Sequence, residues 1–397
     1  MIAVWAFILG APPALELSYL EALEASSTEA AEVRLAERRT ELSAAEIAAA
    51  GALANPSFGI GTARLTARLT ASMALPLPLF GQRSTAIEAA EADHRVATLG
   101  VRSARQEARL LTALAWLELW SSAARAALLE EAAHDAQRVQ EIAEERFAAG
   151  SGARLDVLRS GADRARAGAE ASAARGLIEA AAARLSVMVG GPEDRLLLPK
   201  GRPPEPAPLP SLEELLERVA LHPALARDRA EIAAASAHRA REERQRWPIL
   251  TPAVSVSALD PTTPGTDVIV GLGFELPLLS LRGGAIARAA AEESMATEAE
   301  RLDARRLRAA LRDAYRRTES SATTLKALRE EVLPALAEAK AMTEEGYQSG
   351  RVDLLRVLEA ARARLESQLA EVEAFAGWAR AYAELEAALG TEVHGAR

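Results

Sequence analysis

The chain of 397 residues has no cysteine, only three lysines (Lys200, Lys326 and Lys340), and aromatic side chains at 4% of positions. Without cysteine there can be no disulfides, thiolate zinc sites, iron–sulfur clusters, cysteine nucleophiles or lipid-modified N-terminal cysteine, and any redox compartment is compatible. Long hydrophobic runs are missing too. The longest, Ile2 to Leu9, followed by Gly10-Ala11-Pro12-Pro13-Ala14, is under half the roughly 20 apolar residues that a transmembrane helix requires. Residues 1–14 read either as a possible signal peptide or as an N-terminal segment that starts a helix. The 47 basic residues are interleaved with 56 acidic ones for a net charge of -9, which argues against a nucleic-acid partner. The five histidines are scattered, with no pair at metal-ligand spacing. No phosphate loop, nucleophile elbow or dinucleotide fingerprint occurs either. No catalytic constellation, cofactor site or metal site is therefore expected.

What is present is helix-forming composition. Alanine, leucine, glutamate and arginine dominate between sparse glycine and proline, and 49% of residues are hydrophobic, too many for a disordered chain. The chain also repeats itself at an offset of 200. Phe147-Ala-Ala-Gly150 answers Tyr347-Gln-Ser-Gly350, Val157-Leu158 answers Val357-Leu358, and Leu185 to Gly190 answers Leu385 to Gly390. Pro78-Leu79 and Pro277-Leu278 match at nearly the same spacing. The organisation expected is a first repeat over 15–190, a proline-rich linker over 191–210, a second repeat over 211–390 and a tail over 391–397. Ser211 with Glu214 forms a capping-box signature that opens the second repeat.

Each repeat reads as helix, strand pair, very long helix, sharp turn and long helix. From Ser84 to Ala149 there is no proline and one glycine, which predicts a helix about 100 Å long at 1.5 Å per residue. Apolar positions step three and four residues in Val101, Ala104, Ala108, Leu111 and Ala115. The same stepping recurs in Leu325, Leu328, Val332, Ala335, Ala339 and Met342, and in Leu365, Leu369, Val372, Ala376, Ala379 and Ala383. A 3.5-residue period predicts coiled-coil seams, with Pro334 predicting a kink or break. Strand alternation occurs within Pro56 to Leu75, over Ala253 to Ala258, and over Val268 to Leu276. Each strand is about the length that a tilted membrane strand needs. Four strands cannot close a barrel alone, so a membrane role requires several chains.

Taken together, these motifs resemble the TolC-type outer-membrane efflux protein family over about Leu15 to Gly390. The resemblance rests on Leu77-Pro78-Leu79-Phe80-Gly81-Gln82-Arg83 and its partner Leu276-Pro277-Leu278-Leu279 with Arg282-Gly283-Gly284. It rests also on the aromatic-x-x-Gly turn followed by Val-Leu, and on His222-Pro223-Ala224-Leu225 with Arg246-Trp247-Pro248. It implies a mainly α fold with short β segments. Duplicated coiled-coil helices would form a periplasmic α-barrel, and four strands per chain would contribute to a trimeric 12-stranded β-barrel in the outer membrane. The implied partners are two further copies of the chain, outer-membrane lipid, a periplasmic adaptor and an inner-membrane pump; the implied activity is passive export.

By the same resemblance the helical tips lie at the turns carrying Phe147, Gly150 and Ser151 and carrying Tyr347, Gly350 and Arg351, where an adaptor docks. The tunnel constriction maps to Asp156 and Arg159 in the first repeat and to Arg356 and Glu359 in the second. The exchanged charges allow Asp156–Arg356 or Arg159–Glu359 pairs, or ordinary solvated charges on helix faces. A soluble coiled-coil scaffold with surface hairpins is the alternative reading of the same periodicities.

Overall fold

The structure, a computed structural model, describes residues 14–63, 68–191, 195–258, 265–275 and 281–393. The N-terminal segment 1–13, part of each hairpin tip, the Leu276-Pro277-Leu278-Leu279 motif and His394 lie outside them. In chain order the elements are β1 (Leu15–Ser18), α1 (Tyr19–Glu29), α2 (Ala31–Gly51), β2 (Ser57–Ala63), β3 (Arg68–Ala74), α3 (Gln82–Ala148) and α4 (Arg154–Val189). After them come β4 (Leu197–Lys200), α5 (Leu212–Arg218), a short 3-10 turn, α6 (Pro223–Arg244), β5 (Ile249–Ala258), β6 (Asp267–Glu275), α7 (Gly283–Ala327), α8 (Leu333–Gln348) and α9 (Leu354–Leu389). Of the described residues, those within 1–34, 104–222 and 306–397 make one compact unit, and those within 35–103 and 223–305 the other.

The first unit is helical. Its core gathers Trp116, Leu117, Leu119, Trp120, Leu185, Phe375, Trp378 and Ala379 from α3, α4 and α9, joined by Leu325 of α7 and Leu197 of β4. Trp120 meets Phe375 edge-on at 5.2 Å, and Trp116 donates its indole N–H to the Leu17 carbonyl at 2.8 Å. That carbonyl belongs to β1, which pairs in parallel with β4 from the proline-rich segment. Four-residue strands with no alternation leave no sequence signal, so this pair is visible only in the structure. Ser18 and Glu21 form a reciprocal capping box on α1, and Ser211 caps α5 by accepting from the Glu214 N–H at 3.3 Å.

The seam expected along α9 packs inward: Ala376, Ala379 and Ala383 are buried and Leu365, Leu369 and Val372 partly so. The seam expected along Val332, Ala335, Ala339 and Met342 does not, since all four are exposed. Residues Leu328–Val332 form a π turn just before Pro334, and the turn inserts one residue into the helical phase. Beyond it the inward side chains are Leu333, Leu336, Lys340 and Tyr347, most of them one position later than the periodicity places them. Pro334 sits in the first turn of α8, where its missing N–H costs nothing.

Glu386 of α9 lies in a desolvated cluster with Tyr19, Tyr382 and Arg109. Burial raises its carboxyl above the ordinary range, while the Val393 N–H at 3.4 Å and Arg109 pull it back. Burial and Glu386 push the Tyr382 phenol up to about 12. A carboxyl raised in the folded state contributes stability that is present below its unfolded pKa and lost as pH climbs through the folded value. Glu386→Gln is therefore expected to shift the melting temperature upward at pH 8 and leave it unchanged near pH 4. Equal shifts at both pH values would contradict this.

The second unit carries the antiparallel sheet β2-β3-β5-β6, followed on each side by helix. Below the sheet, His94 Nδ1 meets Ser43 Oγ at 2.9 Å and His238 Nε2 meets Asp93 at 3.0 Å, tying α2, α3 and α6 together. These two histidines are therefore engaged as structural partners.

Candidate functional site

Two places in the chain carry the arrangement that function requires: the sheet in one unit and the pair of helical turns in the other. In the sheet, register puts Ile60 opposite Ala71, Ala71 opposite Val256 and Val256 opposite Val268. Phe58, Met73, Val254 and Val270 line up in the same way. Cross-strand partners share a face, so one face carries Phe58, Ile60, Leu69, Met73, Val254, Val256, Val268, Val270, Leu272 and Phe274. The opposite face carries Ser57, Gly59, Gly61, Thr70, Ser72, Ala74, Thr251, Ala253, Ser255, Ser257, Asp267, Gly271 and Gly273, with Ile249 and Ile269 as its large apolar side chains.

The apolar face is uncovered, with its large side chains between 37% and 82% exposed, and Gly59, Gly61, Ser72 and Gly271 of the opposite face are exposed as well. A water-soluble sheet hides that face, because an apolar patch across four strands favours association. Here it backs onto a face of mostly small and hydroxyl-bearing residues, the division that a membrane β-barrel wall has. Among the described residues, strands β2 and β6 each keep one unpaired edge. Lipid does not tolerate unpaired edges, so they call for neighbouring strands.

At the other place, α3 passes into α4 and α8 into α9 through turns of the same construction. Gly150 and Gly350 both have φ near 75°, in the left-handed region. The Gly150 and Ser151 N–H groups donate to the carbonyls of Phe147 at 3.0 Å and Arg146 at 2.9 Å. Gly350 and Arg351 donate to Tyr347 at 3.0 Å and Gly346 at 2.8 Å. Both are Schellman closures that satisfy carbonyls orphaned at a helix end. Close packing follows: a Cβ on Gly152 would lie 2.9 Å from the Phe147 backbone nitrogen, and one on Gly346 only 2.5 Å from Val352 Cγ2. Gly168 in mid-α4 has open space instead. Gly152→Ala is expected to lower the melting temperature, whereas Gly168→Ala gains about 0.8–1 kcal/mol of helix propensity and raises it. Equal effects of the two would refute the close approach.

The matched aromatics differ in placement. Tyr347 is 4% exposed, packed with Val139, Leu354, Val357 and Leu358, while Phe147 is 46% exposed. Arg146 joins the two turns: its Nη1 donates to the Tyr347 carbonyl at 2.6 Å, and its guanidinium lies 4.6 Å from the Tyr347 ring centroid. Burial holds the Tyr347 phenol above its usual pKa; the Asp156 carboxylate pushes the same way and Arg146 opposes it. Arg146 escaped the sequence reading because its counterpart at the 200-residue offset is Gly346, so no paired signal marks it.

Of the charged positions named from sequence, Asp156 is half-buried beside Tyr347, and Arg159, Arg356 and Glu359 are exposed. Arg356 reaches its own cap residue Asp353 at 4.0 Å. Among the described residues neither an Asp156–Arg356 nor an Arg159–Glu359 pair forms within the chain. The hairpins are joined instead by Arg362 to Asp163 at 2.5 Å and by Lys340, which is almost fully buried and holds Asp135 and Glu344. These groups line a small cavity of about 70 Å³ between α3, α4, α8 and α9.

A four-stranded sheet with an uncovered apolar face and open edges, in a chain that also carries two matching helical hairpins, is the make-up of an outer-membrane channel protein. The family follows from comparison with known proteins: residues 22–191 and 215–391 match the outer membrane efflux protein family, and the chain belongs to it. It is 25% identical over 313 residues to the cobalt-zinc-cadmium resistance protein CzcC of Cupriavidus metallidurans, covering 78% of this chain and 73% of that protein. Among solved structures it is similar to VceC of Vibrio cholerae (TM-score 0.75, 19% identity, covering 94% of this chain and 96% of that one). It is also similar to the CmeC channel of Campylobacter jejuni (TM-score 0.78, 13% identity, covering 94% and 85%). The protein is an outer-membrane efflux channel with a large periplasmic helical part. Its family is one of transport proteins.

Proposed function

We propose that three copies of this chain close one 12-stranded barrel, and that their helical hairpins line a periplasmic tunnel through which an inner-membrane pump expels its substrate. The observation that carries this reading is the exposed apolar face of a four-stranded sheet with two unpaired edges. Three such sheets joined edge to edge, β2 of one chain to β6 of the next, remove every edge and leave the apolar face to lipid. The opposite face, mostly small and hydroxyl-bearing apart from Ile249 and Ile269, then lines an aqueous lumen. Transport is passive, with selectivity set by lumen size and charge.

The chain divides on this reading into the repeats 15–190 and 211–390 joined by 191–210. The turns at Gly150 and Gly350 are the tunnel mouth, and a periplasmic adaptor docks there. Exposed Phe147, Ser151 and Arg351 suit contact with a partner, while Tyr347 suits an internal latch. Asp156, Arg159, Arg356 and Glu359 sit within two helical turns of that mouth, so pairs they make belong between chains rather than within one. Fractionation of cells followed by the mass of the detergent-extracted particle tests the proposal. A heat-sensitive particle with the mass of three chains in the outer membrane supports it, and a soluble monomer or dimer overturns it.

A further inference from the structure

We propose that the junction between sheet and helices is a phospholipid-binding collar. In it Arg83, Arg244 and Arg246 take the phosphates of anionic lipids in the periplasmic leaflet, and the Trp247–Phe80 pair sits at headgroup level. The inference rests on the outer-membrane placement of the sheet. It starts from charge: Arg244 and Arg246, at the end of α6, are exposed, and among the described residues no carboxylate lies within ion-pairing distance of either. Neighbouring cations are matched, Arg282 by Glu242 at 2.8 Å and Arg239 by Glu243 at 3.1 Å and Glu293 at 3.2 Å. Arg83, exposed at the start of α3, spends only its Nε, donating to the Gly51 carbonyl at 2.6 Å. Guanidinium groups with free N–H donors match phosphate oxygens in pairs.

The aromatic platform is built rather than incidental. Buried Gln82 accepts from the Phe80 N–H at 2.9 Å and donates to the carbonyls of Trp247 at 3.1 Å and Pro248 at 3.2 Å, so one side chain fixes both segments. The rings stack at 6.0 Å and 25°, yet Trp247 stays 52% and Phe80 42% exposed. Both lie just beyond strand ends, Trp247 two residues before β5 and Phe80 six residues after β3. An exposed amphipathic indole braced by a phenyl ring where an apolar band ends marks a membrane–water interface, and adjacent arginines there attract anionic headgroups.

The test uses the purified full-length trimer in phosphatidylcholine vesicles containing phosphatidylglycerol, with bromine placed on the chains of one lipid or the other. Trp116, Trp120 and Trp378 are buried in the helical unit, so the quenchable emission is taken as the difference between wild type and Trp247→Phe. Brominated phosphatidylglycerol is expected to quench Trp247 several-fold more strongly than brominated phosphatidylcholine at equal bromine density. That preference should vanish in the Arg244→Gln, Arg246→Gln double variant, whose melting temperature in lipid-free detergent stays unchanged.

Equal quenching by the two lipids overturns the proposal, as does a preference that survives in the variant. A melting temperature lowered in lipid-free detergent overturns it too, because the arginines would then be complementing the α6 terminus. Absence of quenching in a heat-sensitive trimer also overturns the collar while leaving the channel intact. Failure to form a trimer at all refutes the barrel reading instead.

Discussion

Replacing Arg146 by alanine should raise the single-channel conductance of the protein in a planar bilayer, without changing its insertion. Arg146 is the side chain that links the α3–α4 turn to the α8–α9 turn, through the Tyr347 carbonyl and ring. Losing a charge-assisted hydrogen bond costs about 1.5–3 kcal/mol. The cation–ring contact adds about 0.5–2 kcal/mol at a half-buried site. Arg146→Lys should recover little of this, because an ammonium cannot present two donors in a plane while lying over the ring. Tyr347→Ala should go further, since removing a buried aromatic costs about 3–5 kcal/mol and empties the cluster around Leu354 and Val357. Wild-type conductance in both variants would mean that the turns are not the narrow point.

The second large effect is expected at Lys340, whose ammonium is enclosed between Asp135 of α3 and Glu344 of its own helix. Lys340→Met leaves Asp135 in a poorly hydrated site with only Arg138 for a partner. Breaking a buried ion pair by removing one member costs about 3–5 kcal/mol, and the remaining arginine places this case near the lower figure. Replacing the pair together, Lys340→Met with Asp135→Leu, should recover most of the loss, since two apolar side chains no longer carry a desolvation cost. Thermal unfolding followed by helical circular dichroism measures both. A double variant as unstable as the single would show that the pair itself, and not the stranded carboxylate, sets the stability.

Much of this architecture was legible in the sequence, for identifiable reasons. The helix from Gln82 to Ala148 is announced by its lack of proline, and the two turns by glycines at one offset, because only glycine takes their positive φ freely. Alternation in Phe58, Ile60, Val254 and Val256 announced strands. It could not say that the apolar side chains of all four strands share one face, since alternation within a strand does not fix its neighbours; that needed the register. The seam through Ala335 and Ala339 had the right period and the wrong phase, because a π turn leaves no mark on periodicity until it has shifted it. Arg146 was hidden for another reason: a contact between residues 201 apart has no local pattern. The same holds for Arg362 with Asp163 and Lys340 with Asp135, which lie 199 and 205 residues apart.

The central claim is that β2 of one chain pairs with β6 of the next. Because the chain contains no cysteine, paired substitutions report this directly. A panel with one cysteine at 59–62 in β2 and one at 268–271 in β6 samples the registers open to the two edges, and mild oxidation traps neighbours. Disulfide-linked dimers and trimers are expected on a non-reducing gel, requiring both cysteines and disappearing on reduction. Monomer alone across the whole panel, in protein recovered from the outer membrane, would contradict it.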